Sequence, residues 1–551
     1  MPRRPSPSRP AGPAIRRIAV LDIGATAIRI EAAEVDANGV TRTLDNLSLP
    51  VALGKDTFST GRLRPETIED CVDKLRRFRE FLRDYDLGDP GSVRAIATSA
   101  VREAENREQF LNRVLIATGF RVECPEDVEL SRLAYLAVRD LLEREGAPHP
   151  WNALVIEVGG GSTELLLIQD DRVTFSESYR LGALRLRETV EAREAAPSQV
   201  RSLLARDIQR ALVQLRHDLP ERVPDTLIAM SGDVRFAAAR LLPQWDRLEL
   251  GRLNPRAFIQ FGERILAMST ADIVRKYGVP YAEAETLGVA LQIYAQIARL
   301  FSIREIWVPK THLRTGLEVE LATRTLWTSD FSQQVENAAR LLGAKFRIEP
   351  RHAEHVATLC DRLFAALRDE HGLDARHGLL LRVAALLHEA GRFINSRNHH
   401  KHSMYLIQNS DLFGLTQADI ELVALVARYH RRSMPLPTHP LYDALSRERR
   451  LIVQALAALL RVAEQQLKEG NIRQTRHMLE RLESEFPEQK LEGLYRFLRG
   501  ETDRASGRYD EAIRHYEVLL KLRQWAGYRP QAMFGLADCY HRLHELPKCL
   551  E

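Results

Sequence analysis

Two stretches of the chain, 135 residues apart, repeat one pattern, and this duplication restricts the fold more than any other feature. The first reads Ile18-Ala-Val-Leu-Asp-Ile-Gly-Ala-Thr-Ala-Ile-Arg-Ile-Glu; the second reads Leu154-Val-Ile-Glu-Val-Gly-Gly-Gly-Ser-Thr-Glu-Leu. In each, a short apolar run predicts a buried strand, an acid (Asp22, Glu157) stands near its end, glycine makes a tight turn, and a second strand returns. A duplicated α/β unit predicts two lobes with a cleft between them, a usual place for a ligand. Gly159, Gly160 and Gly161 lack Cβ atoms, so their N–H groups can approach an anion, and Ser162 and Thr163 add hydroxyl donors. Glu157 and Glu164 bracket that loop with carboxylates suited to a hard cation such as Mg²⁺. Asp22 and Gly24 at the first turn, with Thr26 beside them, read as the other half of a phosphate clamp.

The rest of the chain divides readily. Residues 1–16 are rich in Pro and Arg with no apolar core, and read as a disordered tail rather than a signal peptide. Strands alternate with helices over 17–140, including an amphipathic stretch from Pro65 to Tyr85 and a strand from Val93. The polar hinge Glu143-Arg-Glu-Gly-Ala-Pro-His-Pro leads into a second α/β lobe over 141–325; a helical domain follows over 326–463, and a helical tail over 464–551. The net charge of +4 on 28% charged residues sets up no global field for nucleic acid. Five scattered cysteines with no CxxC pair read as reduced thiols, and the apolar run near Leu451 is too short to span a bilayer. A cytoplasmic protein with no membrane contact is the expectation.

At these motifs the chain resembles the exopolyphosphatase and guanosine pentaphosphate phosphohydrolase enzymes, which have the actin-like ATPase fold. The resemblance rests on Asp22-Ile-Gly-Ala-Thr-Ala-Ile-Arg, Ala97-Thr-Ser-Ala-Val-Arg-Glu-Ala-Glu-Asn-Arg, Glu157-Val-Gly-Gly-Gly-Ser-Thr-Glu-Leu and Tyr179-Arg-Leu-Gly-Ala. It continues through Leu386-Leu-His-Glu-Ala-Gly, His402-Ser-Met-Tyr-Leu-Ile-Gln-Asn-Ser-Asp-Leu and Arg428-Tyr-His-Arg-Arg, in family order. It implies two actin-like (ribonuclease H-like) lobes followed by a helical HD-like domain. It also implies hydrolysis of the terminal phosphate of polyphosphate or of guanosine pentaphosphate, with Mg²⁺ as cofactor, a glutamate as general base, and often a dimer. Arg102 then reads as a fork for a phosphate oxygen. Both substrates present the same terminal phosphate, so the motifs do not separate them.

The departures from the family gather at the reaction centre. The family's base is the second Glu of a Ser-Gly-x-Glu-Glu-Ala-Arg-Leu stretch; here Glu126-Asp-Val-Glu-Leu-Ser-Arg-Leu puts Leu130 at that position and Glu129 one residue before it. One residue is about 100° of helix rotation, so Glu129 serves as base only after a local shift. The metal-side Asp is Glu157, the first loop reads Ala25-Thr26-Ala27 for the family's Ser-Asn-Ser, and the third glycine turn reads Ser231-Gly-Asp-Val-Arg for Gly-Gly-Thr. Two readings follow: a working phosphohydrolase with Glu129 and Glu164 in catalytic roles, with Glu126 and Asp127 as alternative bases, or an impaired member that binds polyphosphate or (p)ppGpp and signals to protein partners.

The helical domain is rich in histidine. His355, His388-Glu389, His402 and His430 stand where an HD-type metal site would have its ligands, but the usual Asp beside the second His is Glu, and the resemblance implies no metal there. Lys401, Arg428, Arg431 and Arg432 offer a basic wall for a polyanion. In the tail, Ile472, Tyr509 and Leu546 recur every 37 residues at like turn positions, which predicts tetratricopeptide-like repeats with a protein partner on their concave face.

Overall fold

The computed structural model describes residues 16–36, 40–87, 90–147, 149–193, 197–220, 223–323, 329–431, 435–436, 438–467, 492–505, 507–521 and 529–543. The chain forms two units, Met1–Thr328 and Ser329–Glu551.

The first unit contains the predicted duplication. In lobe I, β1 (Arg16–Ile23), β2 (Ala27–Val35) and β3 (Thr41–Pro50) form an antiparallel meander, and β4 (Val93–Ala97) and β5 (Val122–Glu123) extend it in parallel, in the order β3-β2-β1-β4-β5. In lobe II, β6 (Ala153–Val158), β7 (Thr163–Gln169) and β8 (Arg172–Tyr179) repeat the meander. The sheet is completed by β9 (Thr226–Met230), β10 (Leu250–Leu253) and β11 (Glu305–Pro309), in the order β10-β11-β9-β6-β7-β8. Both lobes therefore run meander first and parallel strands after, with one extra antiparallel edge strand, β10, in lobe II. This is the actin-like arrangement.

The helices of lobe I are α1 (Leu53–Thr60), α2 (Pro65–Asp84), α3 (Ser99–Arg102), α4 (Arg107–Thr118) and α5 (Asp127–Arg144). The α2 helix has Pro at its first position and buries Ile68, Cys71, Val72, Leu75, Phe78 and Leu82, the 3.6-residue stripe that its sequence predicts. Lobe II carries α6 (Ala183–Glu191), α7 (Pro197–Asp218), α8 (Gly232–Leu241), α9 (Pro255–Ala267), α10 (Thr270–Tyr277), α11 (Tyr281–Leu300) and α12 (Leu313–Thr323). The last of these packs on lobe I: Leu317 joins Val20, Ile96, Leu130 and Leu133 in one buried cluster. Its approach to α5 is so close that a Cβ on Gly316 would lie 2.2 Å from the Leu133 carbonyl oxygen.

The second unit is helical. It comprises α13 (Ser329–Lys345), α14 (Pro350–Ala366), α15 (Arg368–His371), α16 (Ala375–Leu387), α17 (His399–Gln408), α18 (Gln417–Arg428), α19 (Pro440–Asp443) and α20 (Arg447–Leu467), then helices Glu492–Ala505, Tyr509–Lys521 and Arg529–Arg542. Of the three repeat positions, Tyr509 begins a helix, while Ile472 and Leu546 lie outside the described residues. Among the described residues no helix is long and apolar enough to cross a membrane.

Candidate active site

The site grows from the two duplicated turns, which touch. In the first, Gly24 N–H closes the hairpin onto Ala27 O at 3.0 Å, while the carbonyls of Ala25 and Thr26 accept from Gly54 (2.8 Å) and Val51 (2.9 Å). In the second, Gly159 N–H reaches Ser162 O at 2.8 Å. The carbonyls of Gly159 and Gly160 accept from Ala183, Leu184 and Arg185, each at 3.0 Å, and Gly161 O accepts from Arg185 Nε at 2.7 Å. The three glycine carbonyls are thus turned into the start of α6. The N–H groups of Gly160 and Gly161 meet no acceptor among the described residues, which leaves a pair of donors for an anion.

The glycines have a second use that the sequence did not suggest. A Cβ on Gly160 would lie 2.8 Å from Ala25 Cβ, and one on Gly161 would lie 2.4 Å from both Phe58 Cζ and Ser99 Oγ. The loop is glycine because the lobes meet there, as well as for an anion's sake.

Two acids flank this loop directly across the β6–β7 ladder, Glu157 opposite Glu164. Glu164 is buried; its Oε1 accepts from Ser162 Oγ (2.9 Å) and Ser178 Oγ (3.0 Å), and its Oε2 has no partner. Burial, reinforced by the charge of Asp127, pushes its carboxyl up to about 8 against the pull of the two serines and Arg102. Burial likewise pushes Glu157 up to about 7, with Asp22 adding to the shift and Arg235, Arg314 and Arg29 opposing it. Asp22 Oδ2 lies 3.5 Å from Arg314 Nη1 and 3.8 Å from Arg29 Nη1, while Asp22 Oδ1 and Glu157 Oε2 are buried without partners. Three guanidiniums, Arg29, Arg235 and Arg314, therefore gather around Asp22 and Glu157. Their mutual repulsion adds to burial in lowering Arg235 to about 10. Asp233, in the third glycine turn, is pushed up to about 6 by burial and by Glu283, with Arg29 and Arg235 opposing.

Other predicted residues are engaged elsewhere. Leu130 is a core residue, 3% exposed. Glu129, one residue before it, is in an ion-pair cluster, with Oε1 at 3.1 Å from Arg94 and 3.5 Å from Arg132, both of which also bind Glu320. Arg102 donates to Pro125 O at 2.9 Å and pairs with Asp127, so its fork is turned toward the start of α5. The hydroxyl of Thr163 donates to Leu181 O and that of Ser162 to Glu164 Oε1, so both loop hydroxyls are engaged within the protein. Arg29, Arg235, Arg314 and Ser178 were missed. Arg29 was within reach, since hairpin register sets it opposite Asp22; Arg314 comes from α12 and carries no local signal. In the second unit, Lys401 and Arg431 are exposed, Arg428 is half-buried, and Arg432 lies outside the described residues.

The model of the Ppx/GppA phosphatase family matches residues 33–325, and that of Ppx/GppA phosphatase domain III matches residues 336–491. The chain belongs to the Ppx/GppA phosphatase family. An exopolyphosphatase from Cytophaga hutchinsonii is 21% identical, with 56% of this chain and 99% of that chain covered and a TM-score of 0.50. The Aquifex aeolicus member of the Ppx/GppA family is 23% identical over 56% of this chain and 99% of its own, with a TM-score of 0.47. The identification as a Ppx/GppA phosphatase accords with the doubled meander and the glycine loop, and it carries the resemblance from motifs to whole domains.

Proposed function

We propose that the cleft of the first unit hydrolyses the terminal phosphate of inorganic polyphosphate or of guanosine pentaphosphate. The observation that carries this reading is the unpartnered, buried Oε2 of Glu164, in a carboxyl pushed up to about 8, three residues beyond the last of the glycine donors. The terminal phosphate lies against the N–H groups of Gly160 and Gly161, with Arg29, Arg235 and Arg314 balancing its charge, while Ser162 holds Glu164 in place. Glu164 takes the proton of the attacking water, the P–O bond to the leaving phosphate breaks as the new one forms, and the leaving oxygen keeps the electron pair. Asp22 and Glu157 are the residues that would hold Mg²⁺, and their orphaned buried oxygens fit a hard cation. Bound there, Mg²⁺ supplies charge neutralisation on the phosphate oxygens. Glu129, held by Arg94 and Arg132, is assigned to positioning the start of α5 rather than to proton transfer.

The core position of Leu130 favours a second reading, an impaired member that binds polyphosphate or (p)ppGpp and signals through its tail. The repeat character of that tail is supported by Tyr516, against which a Cβ on either Gly500 or Gly535 would come within 2.6 Å, a wedge between consecutive helices. Phosphate release from long-chain polyphosphate and from guanosine pentaphosphate with Mg²⁺ decides between the two. Release that survives Glu129→Ala and vanishes in Glu164→Gln supports the enzyme; saturable binding with no release supports the binder.

A further inference from the structure

The helical unit holds a second constellation, independent of the phosphate cleft. His388 follows α16 and His430 follows α18, and each ring passes its Nδ1–H back to a carbonyl three residues earlier: His388 to Ala385 O at 2.7 Å and His430 to Ala427 O. That bond fixes the tautomer and leaves Nε2 as a lone pair, the arrangement in which a second-shell acceptor orients a metal-binding imidazole. Both residues are 0% exposed, and His388 Nε2 has no hydrogen-bond partner. The nearest polar neighbour recorded for His430 Nε2 is His399 Nε2 at 3.4 Å, a contact between two ring nitrogens that needs a proton or a cation between them.

Carboxylates converge on the same point. One ligand atom each from His388, His430 and Glu464 of α20 lie within 4.8 Å of one another, and so do those of His352, His388 and Glu389. Because Nδ1 of His388 is committed to Ala385, only one of its nitrogens is available, and the two trios describe one ion rather than two. Of the residues that the sequence singled out, His388, Glu389 and His430 stand in these trios, His355 is exposed and His402 is in neither; His352 and Glu464 complete them.

We propose that the helical unit binds a single divalent transition-metal ion through Nε2 of His388, Nε2 of His430 and the carboxylate of Glu464, with His352 and Glu389 closing the shell. Imidazoles with carboxylates suit Zn²⁺, Mn²⁺ or Fe²⁺ rather than Mg²⁺, which distinguishes this site from the oxygen-only donors of the cleft. The ion ties α14, α16, α18 and α20 together, so it stabilises the fold of this unit whether or not the cleft turns over.

The test uses tag-free full-length protein, stripped with chelator and then equilibrated separately with Zn²⁺, Mn²⁺ and Co²⁺. Elemental analysis after gel filtration is expected to give about one ion per chain for at least one of these metals, with a raised Tm and a Co²⁺ absorption spectrum of imidazole–carboxylate coordination. His388→Gln and Glu464→Gln are expected to weaken binding more than the roughly 10–100-fold that loss of a second-shell partner costs. The exposed His355→Ala and the cleft variant Glu164→Gln are expected to retain the ion. A wild-type chain that retains none of the three metals overturns the proposal, as does retention unchanged in a folded His388→Gln. Should the buried variants fail to fold, the half-buried His352→Ala and the wild-type stoichiometry still decide.

Discussion

The two hairpins share a backbone plan and differ in what stands across the ladder from the acid. Asp22 of lobe I faces Arg29, with Arg314 close by. Glu157 of lobe II faces Glu164, an acid against an acid. The first arrangement keeps its carboxylate among positive charges and suits the holding of ions. In the second, burial pushes both carboxyls up, with Asp22 adding to the shift at Glu157 and Asp127 at Glu164, and at Glu164 this suits proton transfer. A duplicated fold has thus been given unlike halves by exchanging one cross-strand partner.

The most severe way to break this contrast is to neutralise the lobe II acid. Glu164→Gln is expected to lower turnover by about 10²–10⁴-fold while leaving polyphosphate binding within a few-fold. Initial rates of phosphate release and a titration with labelled polyphosphate check the two halves of that statement. If binding falls as far as turnover, the division of labour between the hairpins fails.

A nearly equal effect, on stability rather than rate, is expected from restoring the family's glutamate. Leu130 is buried with Val20, Ile96 and Leu317, so Leu130→Glu puts an uncompensated carboxylate into an apolar cluster. The expected loss is about 3–5 kcal/mol, read as a lower urea midpoint of the first unit, with no gain in turnover. From sequence alone the same substitution looks like a repair. It becomes a core defect only once α12 is seen to cover α5.

That case marks how far the sequence was legible. The hairpins, their turns and the span of α2 were readable because strand alternation, glycine and the helical stripe are local signals. The surroundings of Glu164 and Asp22 were not, because Arg314, Asp127 and Ser178 arrive from separate elements. The histidine site behaved likewise: His388 and His430 stood out in their motifs, whereas Glu464 belongs to no motif and is one of two acids on a long helix until α20 packs on α16. Glu129 drew notice by its nearness to Leu130 in sequence, and its engagement by Arg94 is a tertiary fact.

Smaller effects sharpen the contrast between turns. Gly161→Ala must displace Phe58 or Ser99 and is expected to cost about 1–3 kcal/mol. Gly232→Ala, at the third turn, meets open space and is expected to be neutral or slightly stabilising, by up to about 1 kcal/mol. Chemical denaturation of both variants checks the pair, and equal losses would remove the claim that the lobe II loop is glycine because the lobes meet there.

The smallest expected effect concerns pH. The Glu164 carboxyl titrates at its ordinary 4.5 in the unfolded chain and at about 8 in the fold, so its folded pKa is raised. The stability it contributes is complete below 4.5 and is lost as the pH rises through 8. Glutamine imitates the protonated form at every pH. Wild type and Glu164→Gln are therefore expected to melt together near pH 4.5, with the variant gaining about 2–4 °C or more as the pH approaches 8. Glu31, lowered to about 2 chiefly by His312 against the opposing effect of burial, shifts stability in the other direction, but it is common to both proteins and cancels in their difference. Parallel melting curves from pH 5 to 8, in metal-free buffer, read that difference directly. A gap that stayed constant with pH would mean that Glu164 is already ionised in the fold, and the claim that burial holds its proton toward neutral pH would fail.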